Sequence, residues 1–267
     1  MVKIDYTIAD VAPYINWIYF FHAWGSSSMP QQGRAELQAE AEERLRRCAD
    51  RYRAHAVFEL YDAYGEDDDI VVRDTKCEVR GARIPCLRQQ QQGSEFLCLA
   101  DFVGKQDKIG VFATTVDAGM EKDFDLDPYE RMMMQLLADR LAEATAERLH
   151  EQVRKRYWGY APDEHLSVGE MLQERWQGIR PAVGYPSLPD TSLNFVLDRL
   201  VNLRQIGIRL TESGAMKPHA SVSGLMLAHP EARYFNVGKI GDDQLEDYAR
   251  RRDVPVGLMR KFLGGNL

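Results

Sequence analysis

The spacing of apolar and polar residues changes several times along the chain, and each change marks an element. Residues 10–24, DVAPYINWIYFFHAW, are dense in aromatics and fit neither a clean helical nor a clean strand period. A polar loop, SSSMPQQG, follows at 26–33. From Arg34 to about His55, strong helix formers without Gly or Pro and charges four residues apart predict a helix. AVFEL at 56–60 predicts a strand, the acidic GEDDD at 65–69 a turn, and IVVR a second strand. The β-favouring runs FLCLADFV (96–103) and KIGVFATTV (108–116) continue an antiparallel sheet.

The longest helix is well marked. Asp127, Pro128 and Glu130 supply an N-cap, a first-turn proline and a capping-box partner. Met133, Leu137, Leu141 and Ala144 then form one apolar stripe, and Asp139, Glu143 and Glu147 line another face. Gly159 is the expected stop. A second capping box, Ser167 with Glu170, opens a helix toward Trp176. GIRPAVGYPSLPD (178–190) carries too many Gly and Pro for regular structure. A helix around 191–204, strand-like runs at 206–211, 220–228 and 234–240, and helices at 242–252 and 255–263 complete the chain. Strands come in groups rather than alternating strictly with helices, so the expected class is α+β.

At 267 residues, one domain over 1–267 is the expectation, with 34–55 as a helical excursion from it. No run approaches the roughly 20 apolar residues that span a bilayer. The opening MVKIDYTIADVAP has no basic region followed by an apolar stretch, so no secretory signal is read. Cys48, Cys77, Cys86 and Cys98 show no metal-ligand spacing, and free thiols in a reducing cytoplasm are the plain reading. A net charge of −7 argues against nucleic acid. Hydrolase, P-loop, dinucleotide and zinc-protease motifs are all missing from the chain, which favours an activity built on binding and positioning.

The most informative stretch is Arg180-Pro181-Ala182-Val183-Gly184-Tyr185-Pro186. Prolines stiffen it, Gly184 lets backbone approach a ligand, Arg180 can grip a carboxylate through two hydrogen bonds, and Tyr185 offers a flat face. The bland reading of these residues is a rigid connector whose arginine pairs with a nearby glutamate.

GIRPAVGYP resembles the R-x-x-x-G-Y signature of the activation domain of cobalamin-dependent methionine synthase. The likeness extends, in order, to APYINWIYFFHAW (12–24), RQQ (88–90), CLADFV (98–103), LADRLAEA (137–144), YWGYAPDEHLS (157–167), TES-AM (211–216), ASVSG (220–224), HPEARYF (229–235) and DQLEDYARRR (243–252). It covers the chain from about residue 10 to the C-terminus. The resemblance implies a twisted antiparallel β-sheet flanked by helices that binds S-adenosylmethionine above a cobalamin carried elsewhere. In that family, an electron from a flavodoxin-like donor and a methyl group from S-adenosylmethionine restore methylcobalamin after accidental oxidation.

By that resemblance Arg180 binds the ligand carboxylate, Ala182 and Gly184 give backbone contacts, and Tyr185 shapes the pocket. Tyr234 and Phe235 contact the ligand late in the domain; on composition alone they read as strand core. Asn16 stands where the family usually has Asp, so a hydrogen bond to the ligand ammonium loses its charge assistance. Asp139, Glu143 and Glu174 match acidic positions facing the cobalamin module, although spacing alone reads Asp139 and Glu143 as a solvated helix face. Gly214 replaces an aromatic, Lys217 replaces a Trp, and SLPDTSLNF after Pro186 looks diverged and shortened.

With no room for homocysteine, folate or cobalamin modules, the chain is expected to act in trans on a methionine synthase lacking its own activation region. Competing readings are reactivation of another corrinoid methyltransferase and a non-catalytic S-adenosylmethionine sensor or scaffold. An independent small-molecule methyltransferase lacks the expected glycine motif.

Overall fold

The computed structural model describes residues 1–25, 29–73, 82–90, 95–124 and 126–267. Part of the polar loop at 26–33, Cys77 and the end of QQQQ (89–92) lie outside them. The strands, in chain order, are β1 (Val2–Thr7), β2 (Arg53–Glu66), β3 (Asp69–Val72), β4 (Arg83–Pro85), β5 (Asp107–Val116), β6 (Arg209–Leu210), β7 (Met216–Lys217) and β8 (Ser221–Met226). Six of them form one antiparallel sheet around β2. One edge of β2 is divided: Arg53–Phe58 pairs with β1 and Ala63–Glu66 with β3, which carries β4. The other edge pairs with β5 along Ala54–Ala63, and β5 pairs with β8. A separate two-stranded ribbon joins β6 and β7.

Both faces of this sheet are covered, so its middle strands read as nearly continuous apolar runs. The period of two still divides them. Ala54, Ala56, Phe58 and Phe112 pack toward the long helix Pro128–Gln152, whose stripe of Met133, Leu137, Leu141 and Ala144 is buried as the spacing predicts. Val57, Tyr61, Ile109 and Val111 pack on the opposite face against Val196, Leu197 and Leu200 of helix Asn194–Val201. The C-terminal helices Asp242–Arg252 and Val256–Phe262 build a smaller core around Leu245, Tyr248 and Met259.

Several expectations shift. β1, which is not among the predicted strands, alternates V-K-I-D-Y-T and pairs in full. The helix expected over 34–55 runs Gln31–Cys48, and the residues beyond Arg53 belong to β2, where pairing on both edges outweighs helix propensity. It lies against the core through Leu37, Ala41 and Leu45 and is tied to the long helix by Arg44–Glu130. Only part of 96–103 pairs: Cys98 bridges Arg88, and a capping box with Asp101 turns Leu99–Phe102 into a 3-10 helix. Asp127 caps the long helix through the amides of Tyr129 (2.9 Å) and Glu130 (3.3 Å). The Ser167–Glu170 capping box forms, but its helix ends at Met171 instead of continuing toward Trp176. Residues 234–240 run without regular structure, so Tyr234 and Phe235 are not strand core.

Candidate functional site

The GIRPAVGYP loop is laced to the free edge of β8. Ile179 and Leu227 exchange both backbone hydrogen bonds at 2.9 Å, Leu225 donates to Pro181 O (3.0 Å), and Val183 donates to Ser223 O (2.9 Å). Gly224 makes this contact possible, because a Cβ there would lie 2.2 Å from Pro181 O. Gly184, at φ +89°, then turns the chain away, with its own amide donating to Leu188 O at 2.8 Å. The loop is therefore held by main-chain bonds to β8, with Ile179 and Val183 in the core of the opposite sheet face while Arg180, Ala182 and Tyr185 face the long helix.

Between them lies a cleft of about 620 Å³, a size common for small-ligand sites. Eight residues singled out from the sequence line it: Asn16, Glu143, Glu174, Arg180, Ala182, Tyr185, Tyr234 and Phe235. They come from five separate stretches of chain. Two others do not line it. Gly184 shapes the turn with its amide already engaged, and Asp139 lies one helical turn from Glu143 beside His219 (3.5 Å).

Arg180 is nearly buried and pairs with Glu147 through Nη2, while Nη1 donates to Ala146 O at 3.1 Å. The pairing that the bland reading expected is thus present, but it faces the cleft rather than closing a connector. Burial disfavours the charge on Arg180; Glu147 more than offsets this and holds its pKa above the usual value. The backbone amide of Arg180 donates to the Tyr234 hydroxyl (2.9 Å), fixing that ring against the loop. Burial raises the Tyr234 pKa to about 12, against the lowering influence of Arg180. Tyr185, half exposed, donates its hydroxyl to Glu143. Ser187 Oγ bonds both backbone groups of Phe235, to O at 2.5 Å and from N at 3.2 Å, and holds it near the loop.

Asn16 caps helix Trp17–Ala23, its Oδ1 accepting from Ile18 N at 3.1 Å. One lone pair of that oxygen remains for a ligand donor. Glu174 sits at φ +58° and is raised above the ordinary carboxylate range, first by burial and then by Glu147. Among the described residues, Glu147 Oε2 and Arg140 Nε are buried at this cleft without hydrogen-bond partners. Buried polar groups are ordinarily satisfied, so the wall of this cleft is incompletely matched. Glu147 and Arg140 are not among the candidate residues of the sequence. The signal for Glu147 is its place on the Asp139–Glu143 face; Arg140 gives none.

Gly214 (φ +78°) packs where a Cβ would meet Thr191 O at 2.6 Å, and its carbonyl accepts from Asn194 Nδ2 at 2.8 Å. Neither Gly214 nor Lys217 lines the cleft. Among the described residues no helix is long and apolar enough to cross a membrane.

A curled antiparallel sheet with a cleft of small-ligand size between its edge loop and one long helix defines the class: an α+β domain with one face of its sheet open to a pocket. The model of one family, the activation domain of vitamin B12 dependent methionine synthase, matches residues 7–253. A crystal structure of the MetH reactivation domain bound to AdoHcy is similar over 100% of this chain and 90% of that one, with 37% identity and a TM-score of 0.91. The chain belongs to the methionine synthase activation-domain family.

Proposed function

We propose that the cleft binds S-adenosylmethionine and presents its methyl group to a corrinoid held by a separate cobalamin-dependent methionine synthase, reactivating that enzyme in trans. The observation that carries this reading is the pair of unmatched polar atoms, Glu147 Oε2 and Arg140 Nε, in a cleft that also gathers Arg180, Tyr185, Tyr234 and Phe235. A relative of the same fold binds AdoHcy, the product left when S-adenosylmethionine gives up its methyl group.

Arg180 keeps N–H groups beyond the two bonded to Glu147 and Ala146, enough to take a carboxylate. Glu147, Glu174 and Asn16 face the cleft as acceptors for the ammonium group, and Ala182 offers backbone to the nucleoside. The rings of Tyr185, Tyr234 and Phe235 suit a sulfonium, an attraction of about 1–2 kcal/mol when desolvated. Asp139 and Glu143 lie one turn apart on the long helix and form the face turned to the corrinoid partner. The partner's corrinoid supplies the methyl acceptor, and a flavodoxin-like donor supplies the electron. Methyl transfer from a sulfonium requires no general base, only alignment, and a stiff loop pinned to a sheet edge provides it.

Calorimetric titration of the purified chain with S-adenosylmethionine should show one site. Labelled methyl should then reach cobalamin when partner and reductant are present. No uptake at millimolar ligand sinks the reading; uptake without transfer to any corrinoid partner reduces it to a sensor.

A further inference from the structure

Trp176 does not line the cleft, yet its indole lies 5.7 Å from the guanidinium carbon of Arg180. A second guanidinium, that of Arg154, lies 4.9 Å from the same ring. Arg154 has no solvent exposure and grips Glu164 with two prongs, Nε to Oε2 at 2.9 Å and Nη2 to Oε1 at 2.6 Å. His150, also fully buried, meets the indole edge to face at 5.4 Å.

The backbone explains how a charged side chain reaches this depth. Val153–Tyr157 is a π-helical turn, in which Trp158 N donates to Val153 O five residues back (2.9 Å). Such a turn carries one residue more than an α-turn and re-aims its side chains; here Arg154 is buried while Arg156 is exposed. π-Turns concentrate at functional sites. The charges also balance. Arg154 has Glu164 and Arg180 has Glu147, and the indole's negative face attracts both cations. Burial, and then the two arginines, hold the pKa of His150 well below its ordinary value, so no third charge enters.

We propose that Trp176 is a positioning residue: anchored by the immobile Arg154–Glu164 pair, its ring fixes the guanidinium of Arg180 in the orientation that receives the ligand's carboxylate. This rests on the function proposed above. An arginine stem has several torsions, and the bonds to Glu147 and to Ala146 O hold only the edge of its fork, leaving the plane of the guanidinium to be set by what lies against its face. The indole face removes this freedom before the ligand arrives.

The test compares two ligands of the full chain by calorimetry: S-adenosylhomocysteine, and 5′-methylthioadenosine, which lacks the amino-acid end. Trp176→Leu should weaken S-adenosylhomocysteine about tenfold, the size of a desolvated cation–π contact, and leave methylthioadenosine within about twofold. Trp176→Phe, which keeps a smaller ring face, should weaken S-adenosylhomocysteine only about threefold and again spare methylthioadenosine. In an Arg180→Met background, Trp176→Leu should have no further effect on S-adenosylhomocysteine. If both ligands weaken together, if neither does, or if the two substitutions simply add, Trp176 is packing and the proposal fails. Should Trp176→Leu not fold, Trp176→Phe decides alone, by a threefold selective loss or by its absence. A wild-type chain that binds neither compound overturns the proposed function itself.

Discussion

Arg252 and Arg180 are each nearly buried against a carboxylate, but their surroundings differ. Asp190 accepts from Ser192 N (2.9 Å), Ser192 Oγ (2.6 Å), Tyr248 OH (2.9 Å) and Arg252 Nε (3.3 Å). Arg252 Nη2 completes the ring on Ser192 O and Oγ. None of these four residues leaves a buried side-chain polar atom without a partner. Around Arg180, Glu147 Oε2, Arg140 Nε, Trp176 Nε1, His150 Nδ1 and Arg154 Nη1 are all unmatched. Each such atom costs about 1–3 kcal/mol. The same residue types thus make a fully matched staple in one place and an incompletely matched cluster beside the cleft in the other, and the unmatched atoms tell the two apart.

The largest effect that would break this contrast lies in the staple. Asp190→Ala leaves the buried Arg252 without a counter-charge, and should lower stability in urea by about 3–5 kcal/mol while the folded fraction binds S-adenosylmethionine normally. A loss under about 1 kcal/mol would mean the network is not structural. Arg180→Met acts the other way. Glu147 lines the cleft and keeps part of its side chain exposed, so stability should fall by less than about 2 kcal/mol, whereas ligand affinity should fall about 100-fold. Equal losses in both measurements would erase the distinction.

Asn16→Asp sharpens the picture at the ligand's other end. The cap is retained, a charge is added at a helix N-terminus, and S-adenosylmethionine should bind about threefold to tenfold more tightly by calorimetry; unchanged or weaker affinity removes Asn16 from the site. The smallest effect is at Glu174. Its folded pKa is raised, so its protonated form is favoured by folding, and that contribution is present below the unfolded pKa and lost as pH rises through the folded one. Glu174→Gln should therefore leave the ligand-free protein slightly more stable at pH 7, by under about 0.5 kcal/mol, and no different at pH 3. Destabilisation at pH 7 contradicts the assigned shift.

The long helix is legible from its cap and its stripe because those signals are local, whereas it ends at Gln152 in a π-turn rather than running to Gly159. The α+β class follows from how strands cluster, and the loop at 178–186 from its stiffness and its family likeness. Less local features are not legible. The 96–103 run has strand composition, but Asp101 captures the Cys98 amide and curls the chain. Trp176 looks like the end of a helix, and Arg154 like one more cation in HEQVRKRY, since a π-turn leaves no mark in composition. Glu147 belongs to a face that reads as solvated, because nothing in a single helix shows that a loop 33 residues later will lay an arginine on it.

The lacing of 179–183 onto β8 reaches beyond ligand binding. An uncovered outer strand offers a row of unpaired amides and carbonyls to any other chain. In this molecule the ligand loop hides that row, so a substitution that frees the loop, such as any side chain at Gly224, should do more than empty the cleft: it should expose a template on which copies of the protein stack and come out of solution.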